Sequence, residues 1–161
     1  MPVLQTERCE LKLLSQQDEN DICSLYVDKT VREFLGGVVS REEFPEKFQN
    51  MLIDADAVHF VVREKSNNVF IGLLTIDKHH DGHDYEISYQ LSSAMQGKGY
   101  AYEAVQACIR YAFEAFKANR FIAETQSANR PSIKLLEKLG FTQEKQLERF
   151  GAMQSIYVIQ R

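Results

Sequence analysis

The centre of the chain changes from the period of a strand to the period of a helix across a short glycine-containing joint. In YEISYQL (residues 85–91) successive side chains fall on opposite faces, as they do in a strand. Between residues 101 and 116, apolar side chains recur every three or four positions, which predicts a long amphipathic helix. Gly97, Lys98 and Gly99 lie at the joint. Because glycines let the backbone approach a ligand and a helix N-terminus presents free N–H groups, the joint is suited to phosphate.

The other segments predict a mixed sheet with helices on its faces, which is the α/β class with an α+β mixed sheet. Short turns at 66–68 and 79–84 join three consecutive strands and make the sheet mostly antiparallel. The order β-α-α-β-β-β-α-β-α-β-β gives about seven strands and four helices. The predicted strands are 10–14, 59–64, 69–76, 84–91, 120–126, 141–150 and 154–161, and the predicted helices start at Ser15, Ser40, Tyr100 and Asn129.

Two details concern the segment between the first two helices. Residues 28–40, which include Gly36 and Gly37, are expected to form a mobile connection. Ser40 is expected to be the N-cap of the next helix, because Glu43 three residues later completes a capping box.

Length and composition narrow the class of protein. The 161 residues fit one domain, 1–161, and the net charge of −4 argues against a nucleic-acid binder. The chain contains no apolar run near the length of a membrane span and no signal-peptide pattern, so no membrane partner is expected. The three cysteines form no CxxC pair, which favours a reducing, cytoplasmic location over a disulfide framework or a zinc site.

Two common nucleotide-binding motifs do not fit the glycine joint. The dinucleotide fingerprint requires a third glycine where this chain has Tyr102, and it follows an opening βαβ unit rather than antiparallel strands. A P-loop requires GxxxxGK[ST], which is absent from the sequence. Two interpretations of these residues stay open: the glycines only make a turn, or they hold the phosphate of a different kind of ligand.

The segment Gln96–Ala101, QGKGYA, resembles the [QR]-x-x-G-x-[GA] signature of the GNAT family of N-acetyltransferases. A second segment, NRPSIKLLEKLGF (residues 129–141), is similar to that family's N-x-x-[SA]-x-x-[LV]-x-E-K-x-G-F element. Thr6-Glu7-Arg8 before the first strand resembles the ribosomal-protein-alanine acetyltransferase branch. The resemblance implies a sheet that splays after the fourth strand, and an acetyl-CoA-dependent transfer of an acetyl group to a primary amine.

The resemblance also implies which residues bind acetyl-CoA. The signature's backbone amides would hold the pyrophosphate, with Lys98 assisting, and Asn129 would bond the pantetheine amide unless it serves only as a helix N-cap. A backbone N–H near the end of the preceding strand would stabilise the oxyanion. The expected binding residues are Tyr89, Gln90, Leu91, Gln96, Gly97, Lys98, Gly99, Tyr100, Ala101, Asn129 and Ser132.

The resemblance makes Glu86 the candidate general base, alone or through water; the alternative is an ion-paired strand carboxylate. The leaving thiolate also needs a proton, and many relatives use a tyrosine where this chain has Leu136. Ser132 is the replacement that we name, although a first-turn hydroxyl can simply bond backbone. The missing tyrosine leaves open a second function, a non-catalytic acyl-CoA-binding sensor or interaction module.

The acceptor amine is not defined by these motifs. A protein α-amine needs less help from a base than a lysine, because its pKa is lower. A protein N-terminus, a polyamine, an amino acid and an antibiotic are all compatible with the motifs, and the C-terminal hairpin offers a route to a homodimer. His79, His80, Asp81 and His83 are expected to lie in a solvated turn without a metal, and Cys108 in the core.

Overall fold

A computed structural model describes residues 3–161 as one eight-stranded sheet with five α-helices. Two short 3-10 turns, Gln16–Asp18 and Ser93–Met95, precede α1 and the glycine joint. The strands are β1 (Val3–Gln5), β2 (Cys9–Leu13), β3 (Val58–Glu64), β4 (Phe70–Lys78), β5 (Tyr85–Leu91), β6 (Arg120–Gln126), β7 (Thr142–Arg149) and β8 (Ala152–Gln160). The helices are α1 (Glu19–Tyr26), α2 (Lys29–Arg32), α3 (Phe44–Ile53), α4 (Tyr100–Ala115) and α5 (Arg130–Lys138).

The sheet opens between β5 and β6. The strand order is β1-β2-β3-β4-β5-β6-β8-β7, and β5 with β6 is the parallel pair. These two strands pair only at Tyr85 with Phe121 and at Glu86 with Ile122. From Ile87 onward the facing edge of β5 is not paired with β6. This divergence confirms the predicted splay after the fourth predicted strand, which is β5.

The element count differs from the prediction in two places. The additional strand is β1, which pairs antiparallel with β2 through only three residues. The additional helix is α2, inside the segment expected to be a connection, where the Asp28 carboxylate accepts hydrogen bonds from the N–H groups of Thr30 and Val31. Both elements are too short to produce a periodic pattern in the sequence, so they form because of local contacts.

The second predicted helix begins later than expected. Ser40 Oγ accepts a hydrogen bond from the Glu43 N–H at 3.2 Å, but residues 41–43 form a turn. The helix α3 begins at Phe44 with Glu43 as its N-cap, and Pro45 lies in its first turn, a position where proline costs no helical hydrogen bond. Ser40 therefore stabilises the turn that leads into the helix, rather than capping it.

Two apolar cores cover the two faces of the sheet. One lies under α4 and α5 and includes Phe60, Ile87, Phe121 and Cys108, which is fully buried as predicted. The other lies under α1 and α3. Within residues 3–161, no helix combines the length and the apolar character that crossing a membrane requires.

Candidate active site

A cavity of about 570 Å³, here called the larger cavity, occupies the opening between β5 and α5. Its walls come from the end of β5, the glycine joint, the start of α4 and the first turns of α5, with α2 at one side. Ten predicted binding residues line it: Tyr89, Gln90, Leu91, Gln96, Gly97, Gly99, Tyr100, Ala101, Asn129 and Ser132. Lys98 is the predicted binding residue that does not; its side chain is exposed.

The glycine joint needs glycine for its backbone conformation. Gly97 and Gly99 have φ values of +74° and +83°, in the left-handed region that side chains with a Cβ disfavour. A Cβ on Gly97 would meet nothing within 4 Å, so the space beside it is open. Gly99 is the N-cap of α4, and the first N–H groups of that helix therefore point toward the joint.

Arg8 supports the joint from the N-terminal part of the chain. Its Nη1 donates to the carbonyl oxygen of Lys98 at 3.1 Å, and its guanidinium lies 4.1 Å from the centre of the Tyr100 ring. Glu103 on α4 holds it in place, since Oε1 is 2.9 Å from Arg8 Nε and Oε2 accepts from the Arg8 N–H at 2.7 Å. Thr6 also contacts the Glu103 carboxylate. The Thr6-Glu7-Arg8 motif was the sequence signal for this support, but its contact with the joint was not predicted.

The end of β5 lies unusually close to β4. A Cβ built on Gly72 would be 2.3 Å from the carbonyl oxygen of Gln90, so only glycine fits at this position. Gly72 pairs with Leu91 and Leu73 pairs with Gln90. The side chain of Gln96 then donates to the Leu91 carbonyl at 3.2 Å and ties the joint to the strand end. These contacts fix the backbone of residues 89–91, where the oxyanion donor is expected.

Tyr89 and Ser132 meet at the wall of the larger cavity. The Tyr89 hydroxyl is 2.6 Å from Ser132 Oγ, so that β5 and α5 are bridged by a hydrogen bond between side chains. Asn129 is the N-cap of α5, and its Oδ1 accepts from the Ser132 N–H at 3.4 Å. The N-cap role is thus present, and a contact from Asn129 to a ligand stays a prediction. Leu136 is buried in the core, 1% exposed.

A smaller cavity of about 190 Å³ lies on the other face of β5, the face that carries Glu86. Arg32, Leu35, Thr75 and Ser88 are among the residues that line the smaller cavity, and Ser88 shares the face of Glu86 two residues along the strand. Glu86 itself lines neither cavity.

The surroundings of Glu86 favour a carboxyl group that exchanges a proton near neutral pH. Its Oε2 accepts a hydrogen bond from the Glu124 N–H at 3.0 Å, across the point where β5 and β6 separate. Burial raises the pKa of Glu86 to about 7, with further upward contributions from Asp77 and Glu124 that the Glu124 N–H and His79 oppose. A general base is most effective when its pKa is near the working pH.

His79 does not lie in a solvated turn, and that prediction was wrong for this residue. His79 is 3% exposed, and its Nε2 is 2.7 Å from Oε1 of Glu124. The tip of the β7–β8 hairpin covers His79, because Arg149 at the end of β7 contacts Glu124 and pairs with Asp81 at 2.9 Å. His79, His80 and Asp81 present possible ligand atoms within 4.8 Å of one another. Arg149 pairs with both nearby carboxylates, Asp81 and Glu124, and the absence of a metal stays a prediction.

The larger cavity fits the chemistry of coenzyme A. The N–H groups at the start of α4 and the glycine joint suit a pyrophosphate, and the edge of β5 beyond Glu86 is free to bond an extended amide-containing arm. The volume is that of a typical small-ligand pocket.

Comparisons with known proteins decide the family. Residues 8–142 match the family model described as an acetyltransferase (GNAT) domain. The chain belongs to the GNAT acetyltransferase family. It is 30% identical over 139 residues to the uncharacterized N-acetyltransferase YnaD of Bacillus subtilis (strain 168), an alignment that covers 86% of this chain and 82% of that protein. The GNAT-family acetyltransferase of Bacillus anthracis has a TM-score of 0.85 at 26% identity, covering 99% of this chain and 98% of that structure.

Two further GNAT structures share the fold. The spermidine N-acetyltransferase of Vibrio cholerae, solved with CoA and spermine, has a TM-score of 0.83 at 20% identity and covers 94% of this chain and 95% of its own. RimL, a ribosomal L7/L12 α-N-protein acetyltransferase solved with coenzyme A, has a TM-score of 0.83 at 19% identity and covers 99% and 98%. As a GNAT member this chain is an N-acetyltransferase, and acetyl-CoA is its co-substrate, which supplies the acetyl group as a thioester.

Proposed function

We propose that this acetyltransferase acetylates the α-amine of a protein N-terminal residue by direct transfer, with Glu86 as general base through an intervening water. The observation that carries the proposal is the half-buried carboxyl of Glu86, whose pKa burial raises to about 7 and which shares its face of β5 with Ser88 of the smaller cavity. The smaller and larger cavities share Leu35, Ser88, Tyr89 and Gln90. An amine in the smaller cavity would thus approach a thioester in the larger one.

The match between base and amine supports an α-amine. Protein α-amines titrate near 7.7–8.0 and lysines near 10.4. A carboxylate with a pKa of about 7 removes a proton from an α-ammonium with only a small uphill step, whereas a lysine would demand a stronger base. The contact of Arg8 with the joint gives the Thr6-Glu7-Arg8 motif a structural role here, which supports membership in the ribosomal-protein-alanine branch. RimL, a structural neighbour, acts on such a terminus.

The chain supplies the remaining groups from the residues around Tyr89. A backbone N–H among residues 89–91 would donate to the oxyanion, and its position is held by the close approach of Gly72 to Gln90. The departing thiolate requires a proton, and Ser132, the candidate taken from the sequence, lines the cavity in which it would leave. Gly97, Gly99 and the start of α4 would hold the pyrophosphate.

A panel of amines tests the proposal directly. Acetyl transfer from acetyl-CoA would be followed by mass spectrometry for a peptide with a free N-terminal alanine or serine, the same peptide with a blocked N-terminus and one internal lysine, spermidine, and free amino acids. We expect the free N-terminus to give the highest kcat/KM, and Glu86→Gln to lower that value roughly 10²-fold. Preference for the lysine peptide or for spermidine would contradict the proposed acceptor.

A matched control separates the base from a general effect of charge. Glu114 is an exposed carboxylate on α4, so Glu114→Gln removes the same charge away from both cavities. This variant is expected to keep wild-type kcat/KM for every amine. If Glu86→Gln is as active as Glu114→Gln, Glu86 is not the base.

A further inference from the structure

A pair of hydroxyl groups joins β5 to α5 at the wall of the larger cavity. Tyr89 belongs to β5 and Ser132 to the first turn of α5, and their oxygens are 2.6 Å apart. Tyr89 lines both the larger and the smaller cavity, whereas Ser132 lines the larger one. Residue 89 is thus shared by the two cavities, and its phenol contacts Ser132 at the wall of the larger one, where the thiolate would leave.

The two hydroxyls have no other partner among the described residues. No second hydrogen bond to Tyr89 Oη or to Ser132 Oγ occurs within residues 3–161, and Asn129 engages the backbone N–H of Ser132 rather than its hydroxyl. Each hydroxyl oxygen can both donate and accept. One proton of the pair holds the two oxygens together, and the other is available to a molecule in the cavity.

The other phenols of the larger cavity belong to residues that do not line the smaller one. Three tyrosines line this cavity: Tyr89, Tyr100 and Tyr102. The Tyr100 hydroxyl contacts the Glu64 carboxylate, and the Tyr102 ring carries the Lys138 ammonium at 4.3 Å with its hydroxyl 3.4 Å from Gln106 Nε2. At the position where many relatives are expected to carry a tyrosine, Leu136 is buried in the core. Tyr89 is therefore the tyrosine that lines both cavities, and its hydroxyl bonds Ser132.

We propose that Tyr89, rather than Ser132, is the catalytic proton donor to the departing thiolate, with Ser132 as the positioning residue that donates a hydrogen bond to the Tyr89 oxygen. A phenol is a stronger acid than an alcohol, so within the pair Tyr89 is the better donor and Ser132 the better support. This assignment rests on the proposed direct transfer at this site, but it does not depend on which amine is the acceptor.

The amine, Glu86, Tyr89 and the sulfur account for every proton in the transfer step. The amine nitrogen forms a bond to the carbonyl carbon and gives one proton through water to Glu86. As the carbon–sulfur bond breaks, its electron pair goes to sulfur, which takes the proton of the Tyr89 hydroxyl. The phenolate that remains is stabilised by the Ser132 O–H. It recovers a proton from Glu86 through water, so the net products are the amide and the free thiol.

The surroundings of Tyr89 keep its proton in place until the thiolate forms. Burial raises the pKa of Tyr89 above its usual value near 10, and the hydrogen bond from Ser132 acts in the opposite direction. Tyr89 therefore remains protonated across the range in which Glu86 is ionised and an α-amine is free. The same hydrogen bond predicts that loss of the Ser132 hydroxyl raises the pKa of Tyr89 further.

The test compares Tyr89→Phe, Ser132→Ala and the double variant with the amine that the wild type acetylates fastest. We expect Tyr89→Phe to lower kcat roughly 10²-fold with KM for acetyl-CoA within about threefold of wild type. Ser132→Ala should lower kcat by up to about tenfold, the value of one hydrogen bond. The double variant should be no slower than Tyr89→Phe, because Ser132 acts only through Tyr89. A larger loss from Ser132→Ala than from Tyr89→Phe, or wild-type kcat in Tyr89→Phe, overturns the assignment.

A control variant and a second probe distinguish a catalytic effect of Tyr89 from a loss of folding. Tyr157 is a buried tyrosine on β8 that lines neither cavity, so Tyr157→Phe tests the general cost of removing a buried phenol hydroxyl. It is expected to retain wild-type kcat. Site-specific replacement of Tyr89 with a fluorinated tyrosine, which keeps the ring and hydroxyl but lowers the phenol pKa, should move the alkaline limb of kcat to lower pH. An unmoved alkaline limb overturns the assignment.

The pH dependence of the rate tests the assignment of Tyr89 and the proposed role of Glu86 separately. Glu86→Gln acts on the acid limb, where the base must lose its proton, and Tyr89 variants act on the alkaline limb. If the amine panel favours an acceptor other than an α-amine, the Tyr89 measurements still apply to that acceptor. If Tyr89→Phe retains full kcat while Glu86→Gln does not, the assignment fails and the proposed base stands.

Discussion

Asp77 lies directly opposite Glu86 in the antiparallel register of β4 and β5. Directly opposite residues share one face of a sheet, so both carboxyl groups project on the face that carries the smaller cavity. Burial raises the pKa of Asp77, with a further contribution from Asp54, and burial together with Asp77 and Glu124 raises that of Glu86. This face of β5 therefore contains two neighbouring carboxyl groups whose ionisation is disfavoured.

Asp77→Asn should lower the pKa of Glu86, because it removes a neighbouring negative charge that opposes ionisation. The acid limb of kcat/KM should move to lower pH by roughly half a unit to one unit. The limb should remain above the ordinary range of a glutamate, since burial is the larger cause of the shift. A pH–rate profile measures this directly. Glu114→Gln serves as the control, and an acid limb that does not move in Asp77→Asn would falsify the coupling.

Relative to wild type at the same pH, Glu86→Gln should raise the stability of the folded protein more at pH 8 than at pH 5. The folded-state pKa of Glu86 is raised from 4.5 to about 7, so between these values the folded chain binds more protons than the unfolded chain. Stability contributed by the protonated form is therefore lost as pH rises through this window. Glutamine carries no ionisable group and escapes that loss. Melting temperatures of variant and wild type at the two pH values test the sign; an equal difference at both would contradict it.

Gly72→Ala should damage both stability and acetyl transfer. The new Cβ would lie 2.3 Å from the Gln90 carbonyl oxygen, so β5 must move away from β4 where the oxyanion donor is expected. Overpacking of this kind costs about 1–3 kcal/mol. Gly151→Ala is a useful comparison, since its Cβ meets nothing within 4 Å and only the φ of +76° is strained. Chemical unfolding and kcat should both fall in Gly72→Ala, whereas Gly151→Ala should lose stability alone.

Arg8→Gln should weaken acetyl-CoA binding with little effect on kcat. The variant loses the hydrogen bond to the Lys98 carbonyl, the ion pair with Glu103 and the contact with the Tyr100 ring, which together hold the glycine joint. We expect KM for acetyl-CoA to rise roughly tenfold, the equivalent of about 1.4 kcal/mol. Arg110→Gln on the exposed side of α4 is the matched control. A fall in kcat at unchanged KM would show that Arg8 does not act through the joint.

The sequence predicted those parts of the fold that long periodic segments determine. The alternation in β5 and the apolar stripe of α4 are strong local signals, and both elements lie where the patterns indicated. β1 and α2 were missed because three and four residues are too few to show a period, and a partner strand or a capping carboxylate stabilises them instead.

The site was predictable where a motif names the residue, and unpredictable where two distant segments meet. Gly97, Gly99 and Asn129 belong to motifs and line the larger cavity. The contact of Tyr89 with Ser132 joins residues 43 positions apart, and no pattern within either segment encodes it. His79 was misjudged for the same reason, because its burial depends on Glu124 and Arg149 from other strands.

Thiol labelling should distinguish the three cysteines without any assumption about function. Cys9 and Cys108 are fully buried, and burial raises their pKa values to about 11 and about 12. Since the thiolate is the reactive form, neither should react with a thiol reagent at pH 8 in the folded protein. Cys23, at 9% exposure, is the one candidate for modification. Mass spectrometry should find at most one label under native conditions and three after denaturation. Labelling of Cys108 at a rate independent of unfolding would mean that α4 is packed less tightly on the sheet than its contacts indicate.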